Sequence, residues 1–229
     1  MIKTPKFWYY NNTSSSIIAL ALYPLSIIWI IISFVKKIFI KPHKSKLKVI
    51  CVGNLNIGGT GKTPFTIYIY KILKKLGYKP IFLTRGYKGL EKGPVKVKPD
   101  HNFKDVGDEA LLLSKVGPTI VSANRSLGAK FIEDLKDNYN VILMDDGLQN
   151  NKLEQDIKLL LIDKKLKFGN EFCFPSGPLR EPIKQGLKYI DAIVLTGNER
   201  KFINCNNKFN HKPIFNSSIK IIKSSITKK

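Results

Sequence analysis

The chain is short of the residues on which several kinds of chemistry depend. It has three cysteines, Cys51, Cys173 and Cys205, an odd number at wide spacing, two of them inside apolar sequence. That argues against a disulfide framework or a zinc site and for a reducing compartment. Its three histidines, His43, His101 and His211, are scattered without metal-ligand spacing and are expected to be exposed and structural. Arginine is scarce, at Arg85, Arg125, Arg180 and Arg200 only, and acidic residues are scarcer than basic ones: 17 against 39, a formal charge of +22. Such a balance suits nucleic acid, an anionic membrane surface or phosphorylated substrates alike. The preference for Lys, Ile and Asn is also what a drift in base composition toward A and T produces. No basic stretch interleaved with exposed aromatics and no recognisable nucleic-acid-binding module is present, so no nucleic-acid partner is expected. There is no internal repeat.

Charge is missing altogether from residues 17–35, a run of 19 residues close to the length that crosses a bilayer core. Phe7, Trp8, Tyr9 and Tyr10 precede it, and Lys36, Lys37, Lys41, Lys44, Lys46 and Lys48 follow it, which puts the downstream side in the cytoplasm. No Ala-x-Ala-like cleavage site follows, against a signal peptide. A buried core helix is one alternative. Pro24 and the aromatics leave a kinked helix lying in the interface open beside a spanning one, so anchoring is the firmer expectation.

What is present is a glycine-rich stretch at residues 53–64. A β-branched apolar run, residues 47–52, comes before it, and an amphipathic run with apolar Phe65, Ile69, Ile72, Leu73 and Leu76 comes after, closing at Gly77. Strand, glycine-rich loop and helix make a phosphate-binding loop: the glycines let backbone N–H groups approach phosphate oxygens, and the helix presents its positive end to the same anion. Asn56, Ile57, Gly58, Gly59, Thr60, Gly61, Lys62 and Thr63 are the expected ATP-binding residues, with Lys62 on the β- and γ-phosphates and Thr63 on Mg²⁺. Asn56 occupies the first position, where the common pattern has Gly. Pro64 is expected to open the helix at its first position. An ordinary Gly-rich turn is the alternative, and the flanking strand and helix speak against it.

Further strands are expected at residues 80–84, 118–122, 140–145, 157–163, 189–196 and from 212, with a helix over 124–137. Arg85 ends the second strand, where open α/β sheets place ligand contacts, or where an arginine is simply solvated. Residues 88–106 look like a mobile loop. Asp108 and Glu109 fall in the first turn of a helix, either complementing its dipole or serving as a general base and a metal-water ligand. Four apolar residues ending at Asp145, followed by Asp146, match the strand-tip carboxylate that holds Mg²⁺ in phosphate-loop enzymes, and gain weight from Lys62 and Thr63. Residues 174–182 are too rich in Pro and Gly for regular structure and are either a rigid connector or a means of bringing Arg180 to an anionic substrate. The fold expected is an α/β, mostly parallel sheet of the P-loop NTPase kind with helices on both faces. It would comprise an anchor and basic segment over 1–46, a P-loop domain over 47–222 and a polar tail over 223–229.

Taken in order, Gly53-Asn54 leading into Gly58-Gly59-Thr60-Gly61-Lys62-Thr63-Pro64, Thr84-Arg85-Gly86-Tyr87, Val106-Gly107-Asp108-Glu109, Met144-Asp145-Asp146-Gly147-Leu148-Gln149 and Pro175-Ser176-Gly177-Pro178-Leu179-Arg180-Glu181-Pro182 closely resemble the tetraacyldisaccharide 4'-kinase family. The resemblance implies transfer of the γ-phosphoryl of ATP to the 4'-hydroxyl of an acylated glucosamine disaccharide 1-phosphate, in lipid A synthesis at the cytoplasmic face of the inner membrane. It implies Lys62 and Thr63 as phosphate and Mg²⁺ residues, Asp145 and Asp146 as metal-associated carboxylates, and Asp108 as the base. Glu109 would support the metal or Asp108. Arg85, Arg125, Gln149 and Arg180 are the implied substrate or phosphate contacts, and membrane lipid the implied neighbour. The chain departs from the pattern after Gln149, where Asn150 stands in place of the family's usual His. The resemblance runs from about Ser14 to Ile222, and the family's second, C-terminal lobe, with a His partner for the catalytic Asp, is expected to be missing. Without that lobe, nucleotide binding is expected to outlast turnover. The competing expectation is a membrane-associated nucleotide-binding protein without kinase activity.

Overall fold

A computed structural model describes residues 4–9, 13–198, 209 and 212–218; Cys205, Arg200, His211 and the tail over 223–229 lie outside them. Eight strands join in one sheet: β1 (Lys48–Gly53), β2 (Pro80–Thr84), β3 (Val95–Lys96), β4 (Thr119–Val121), β5 (Val141–Asp145), β6 (Ile157–Asp163), β7 (Ala192–Thr196) and β8 (Ile214–Ser217). Their spatial order is β3-β4-β2-β5-β1-β6-β7-β8. Every pairing is parallel except that of the edge strand β3 with β4. The apolar composition explains this: β2, β4, β5 and β7 are buried at every position, as strands covered on both faces must be.

Side chains alternate between two cores. Val49 and Cys51, Ile81 and Leu83, and Ile142 and Met144 share one core with Ala129 and Ile132 of α5 (Arg125–Glu133) and with Leu187 of α6 (Ile183–Lys188). On the other face Val52, Phe82 and Leu143 pack with Phe65 and Tyr70 of α2 (Lys62–Lys75) and Leu113 of α4 (Asp108–Ser114). Tyr70 stacks on Phe82 at 4.5 Å. Truncating a ring such as Phe82 to Ala in a site of this kind costs about 3–5 kcal/mol.

Sheet order positions the functional end. Strand order reverses at β1, which has β5 on one side and β6 on the other, and ligands of open α/β sheets bind beyond the carboxyl ends of strands at such a point. Register brings Val52, the residue before the turn out of β1, opposite Asp145.

Several local expectations are corrected. α2 begins at Lys62, two residues earlier than expected, so Pro64 is its third residue; the missing N–H still falls among the first four, which have no partner in the helix. Gly77, at φ +85°, does end it: the Gly77 N–H donates to the Lys74 carbonyl at 3.1 Å and the Tyr78 N–H to that of Leu73 at 3.0 Å. Residues 88–106 are pinned rather than loose. They carry β3 and α3 (Phe103–Val106), the latter opened by a reciprocal Asn102–Asp105 cap, and the Leu90 and Glu91 N–H groups donate to Lys104 and Asp105. α6 covers residues 183–188, for which no element was expected, and β7 starts at Ala192 rather than at residue 189. His43 is half-buried, with Nε2 3.3 Å from Glu133.

The apolar N-terminal segment is α1 (Thr13–Ile38), a helix long and apolar enough to cross a membrane. Among the described residues one stripe of it is covered: Ser15, Ala19, Leu22, Ser26, Ile30, Ser33 and Lys37, three and four apart. The stripe rests on the irregular segment ahead of α6, where Ser26 Oγ donates to the Cys173 carbonyl at 2.8 Å, the Ser176 hydroxyl donates to the Ala19 carbonyl, and Trp29 Nε1 donates to the Arg180 carbonyl at 3.0 Å. Ile17, Leu20, Ile28, Ile31 and Ile32 are exposed on the remaining faces.

Gly107 caps α4 at φ +85°, and a Cβ there would sit 2.3 Å from the Tyr87 carbonyl oxygen. Gly107→Ala is therefore expected to lose about 1–3 kcal/mol, read as a thermal midpoint lowered by roughly 2–10 °C. Gly59→Ala, with nothing within 4 Å of the added carbon, is expected to leave the midpoint unchanged.

Candidate active site

Where β1 ends, residues 54–61 fold around the amine of Lys62. Its Nζ donates to Asn54 Oδ1 at 3.3 Å and to the Gly58 carbonyl at 3.2 Å, and lies 3.6 Å from Asp146 Oδ2. Gly58 at φ +127° and Gly61 at φ +76° supply left-handed conformations that residues with a Cβ rarely adopt. Gly59 is exposed at the mouth, and Thr60 is buried with its hydroxyl unpartnered. The first two expected nucleotide residues are clamped from behind. Ile57 N–H donates to the Pro178 carbonyl at 2.7 Å, Arg180 N–H to that of Leu55 at 2.8 Å, and Asn56 Nδ2 to that of Lys167 at 2.8 Å.

Thr63, in the first turn of α2, donates its hydroxyl to Asp145 Oδ2 at 2.9 Å, and Thr66, three residues on, donates to Oδ1 at 2.9 Å. Asp145 is 2% exposed. Burial pushes its carboxyl up to about 6; the Thr63 and Thr66 hydroxyls oppose the rise and the negative charges of Glu109 and Asp146 add to it. Asp146 adopts φ +52° and takes a bidentate grip from Arg180, NH1 to Oδ1 and NH2 to Oδ2, each at 3.0 Å. Burial disfavours its ionised form, yet the Arg180 and Lys62 charges outweigh that and hold it below the usual carboxylate range. Glu109 is half-buried, and burial first and the Asp146 charge second raise its carboxyl. Asp108 is exposed at the start of α4.

The remaining expected contacts divide. Gln149 joins three parts of the site: Nε2 donates to the Asn54 carbonyl and to Glu181 Oε1, both at 3.1 Å, and Oε1 accepts from Arg180 NH1 at 3.1 Å. Arg85 is exposed at the tip of β2. Arg125, expected to touch substrate, is 2% exposed and turns both terminal nitrogens to backbone, NH1 to the Ser122 carbonyl at 2.7 Å and NH2 to that of Asp145 at 3.4 Å, while its Nε has no partner among the described residues. It is a strut between the tips of β4 and β5, and burial lowers its pKa only to about 10, so it stays charged.

A family model described as LpxK, tetraacyldisaccharide-1-P 4'-kinase, matches residues 18–228. The chain belongs to that family. It is 41% identical over 203 residues to the tetraacyldisaccharide 4'-kinase of Paramagnetospirillum magneticum, covering 87% of this chain and 60% of that protein. It is 38% identical over 194 residues to the Rickettsia bellii enzyme of the same name, covering 85% and 59%. The crystal structure of LpxK from Aquifex aeolicus, described as an "apo" form in complex with ATP, superposes with a TM-score of 0.74 at 33% identity, over 86% of this chain and 64% of that one. The chain thus spans about 60% of the length of the curated relatives it matches.

In this family member, Lys62, Thr63, Glu109, Asp145, Asp146, Gln149 and Arg180 converge, and Asn54, Thr66 and Glu181 join them although sequence reasoning did not single them out as site residues. Thr66 had a signal, lying one turn beyond Thr63; Glu181 lay inside the quoted 175–182 motif. The oxygen donors of Thr63, Asp145, Asp146 and Glu109 suit a hard cation. Among the described residues no group of three or more His, Cys, Asp or Glu is placed to hold a metal ion by itself.

A carboxyl raised from 3.8 to about 6 binds its proton more tightly folded than unfolded, so Asp145 costs the nucleotide-free protein stability as pH climbs from 3.8 through 6, up to about 3 kcal/mol above that. Asp145→Asn is expected to raise the thermal midpoint at pH 8 and leave it unchanged near pH 4, while weakening Mg²⁺-dependent nucleotide binding; paired melts at the two pH values check this.

Proposed function

We propose that this chain carries the phosphoryl-transfer machinery of a tetraacyldisaccharide 4'-kinase, moving the γ-phosphoryl of ATP to the 4'-hydroxyl of a tetraacyl glucosamine disaccharide 1-phosphate. The observation that carries the reading is the Lys62, Thr63 and Asp145 constellation at the point where the strand order reverses, with the Thr63–Asp145 bond at 2.9 Å. Family membership supplies the substrate class.

Lys62 rests on three oxygens at 3.2–3.6 Å, long contacts that a phosphate oxygen displaces at little cost. The open Gly58–Gly59 mouth admits the phosphates to backbone N–H groups and to the start of α2. Thr63 and Asp145 would hold Mg²⁺, with Asp146 and Glu109 beside them; when bound, it neutralises charge on the phosphates. Asp108, exposed on α4, accepts the proton of the 4'-hydroxyl. Arg85, exposed at the next strand tip, meets the anionic lipid headgroup, whereas Arg125, Gln149 and Arg180 act by holding the carboxylates and the loop.

The membrane reading rests on α1. Its apolar faces are exposed and Lys36, Lys41, Lys44 and Lys46 follow. Contacts with the domain run from Ala19 to Lys37, about 27 Å of helix. A perpendicular span would carry Arg180 and Glu181 toward hydrocarbon, so α1 lies in the cytoplasmic interface of the inner membrane.

The test is transfer of labelled γ-phosphate from ATP to tetraacyl disaccharide 1-phosphate in detergent micelles. Labelled lipid is expected, with at least a hundredfold loss in Lys62→Ala, as when a single charge-stabilising donor is removed from a transition state. ATP binding with no Lys62-dependent lipid label would replace the kinase with a nucleotide-binding role.

A further inference from the structure

Two tethers run from α1 into the nucleotide site through one short segment of chain, and neither touches the place where nucleotide would sit. The first is ionic. Lys37 Nζ donates to Glu181 Oε2 at 2.7 Å and lies 5.3 Å from the centre of the Tyr189 ring. Glu181 is 4% exposed. Its other oxygen accepts from the Tyr189 hydroxyl and from Gln149 Nε2, and that same Gln149 amide donates to the Asn54 carbonyl beneath the phosphate loop. The second tether is the Trp29 indole, which donates to the Arg180 carbonyl while the Arg180 side chain grips Asp146 and its backbone N–H binds Leu55. Both Trp29 and Trp8 pack edge-on against Phe174, and Trp8 Nε1 donates to the Pro175 carbonyl at 3.1 Å.

We propose that Lys37 and Trp29 are positioning residues, through which the seating of the membrane helix α1 sets the geometry of the phosphate loop and of Asp146. This rests on the reading of that loop as the ATP site. The physical basis is the buried Glu181 carboxylate. With Lys37 in place it is paired, and its remaining acceptor capacity is spent on orienting Gln149. Without Lys37 it is a buried charge lacking a cation, and it recovers one only by rearranging Gln149, Tyr189 or Arg180. Such a rearrangement moves Asn54 and releases Asp146 toward Lys62, tightening the 3.6 Å contact that nucleotide phosphate must displace. Coupling of this kind is reciprocal: if the seating of α1 alters nucleotide affinity, nucleotide must alter the seating of α1 by the same factor.

The experiment uses the full chain in detergent micelles and a fluorescent N-methylanthraniloyl ATP with Mg²⁺ as probe. Lys37→Ala is expected to raise the nucleotide Kd about tenfold, within the usual range for coupled sites. Lys37→Arg restores it to within about twofold, and Lys37→Ala combined with Glu181→Gln is no worse than the weaker single variant, because both break one link. In the reverse direction, unlabelled ATP with Mg²⁺ is expected to shift the intrinsic tryptophan emission, by an amount that Trp29→Phe reduces. A Lys37→Ala protein that binds the probe as wild type does overturns the relay while leaving the ATP site standing. A wild-type protein that binds no probe overturns the ATP site and the relay with it. Should Lys37→Ala not fold, the emission measurement decides: binding of ATP by wild type with no change in tryptophan emission also overturns the relay.

Discussion

The backbone pairing of residues 55–57 with residues 178–180 is the constraint on which the site depends. A phosphate loop is held by glycines that give it little stiffness of its own. Here the Ile57 and Arg180 N–H groups each donate across to the other segment, and the Asn56 side chain adds a third bond to Lys167. The same clamp aims Arg180 at Asp146 and brings Glu181 to Gln149. Loop, strand-tip carboxylate and α1 therefore share one connector, so a disturbance at any of them reaches the others.

Around that connector the carboxylates are unequally compensated. Lys62 and Arg180 satisfy Asp146, but Asp145 and Glu109 sit where burial and like charge raise both carboxyls. Carboxylates kept in an unfavourable state cost the fold stability, and such groups cluster at functional sites. Arg125 limits that cost. By spending its guanidinium on the carbonyls of Ser122 and Asp145 it fixes two strand tips and places a permanent positive charge behind the carboxylates.

How much of this was legible in the sequence divides by range. The strand, loop and helix around Lys62 and the apolar run ending at Asp145 were readable because each is signalled by neighbouring residues, and only the start of α2 was off, by two residues. Asn56 was read as a nucleotide contact because it occupies the first position of a pattern; what it touches depends on Lys167, which no local signal supplies. Residues 88–106 looked mobile because Gly, Pro and Lys describe the segment's own preferences and not the β4 edge that pins it. Arg125 looked like a ligand contact because one arginine near a helix start cannot announce whether it faces solvent or backbone. The one-sided covering of α1 was present as a three-and-four spacing of small and polar residues, masked by an apolar surround that satisfies a membrane equally well.

The central claim, that nucleotide binds at a loop stiffened by the 178–180 clamp, is tested most directly by hydrogen–deuterium exchange of the full chain in micelles with and without ATP and Mg²⁺. Slowed exchange is predicted in peptides covering residues 53–63 together with those covering 145–149 and 176–181. Protection that leaves all three unchanged and appears elsewhere, or protection of the loop with no change at 176–181, would contradict it.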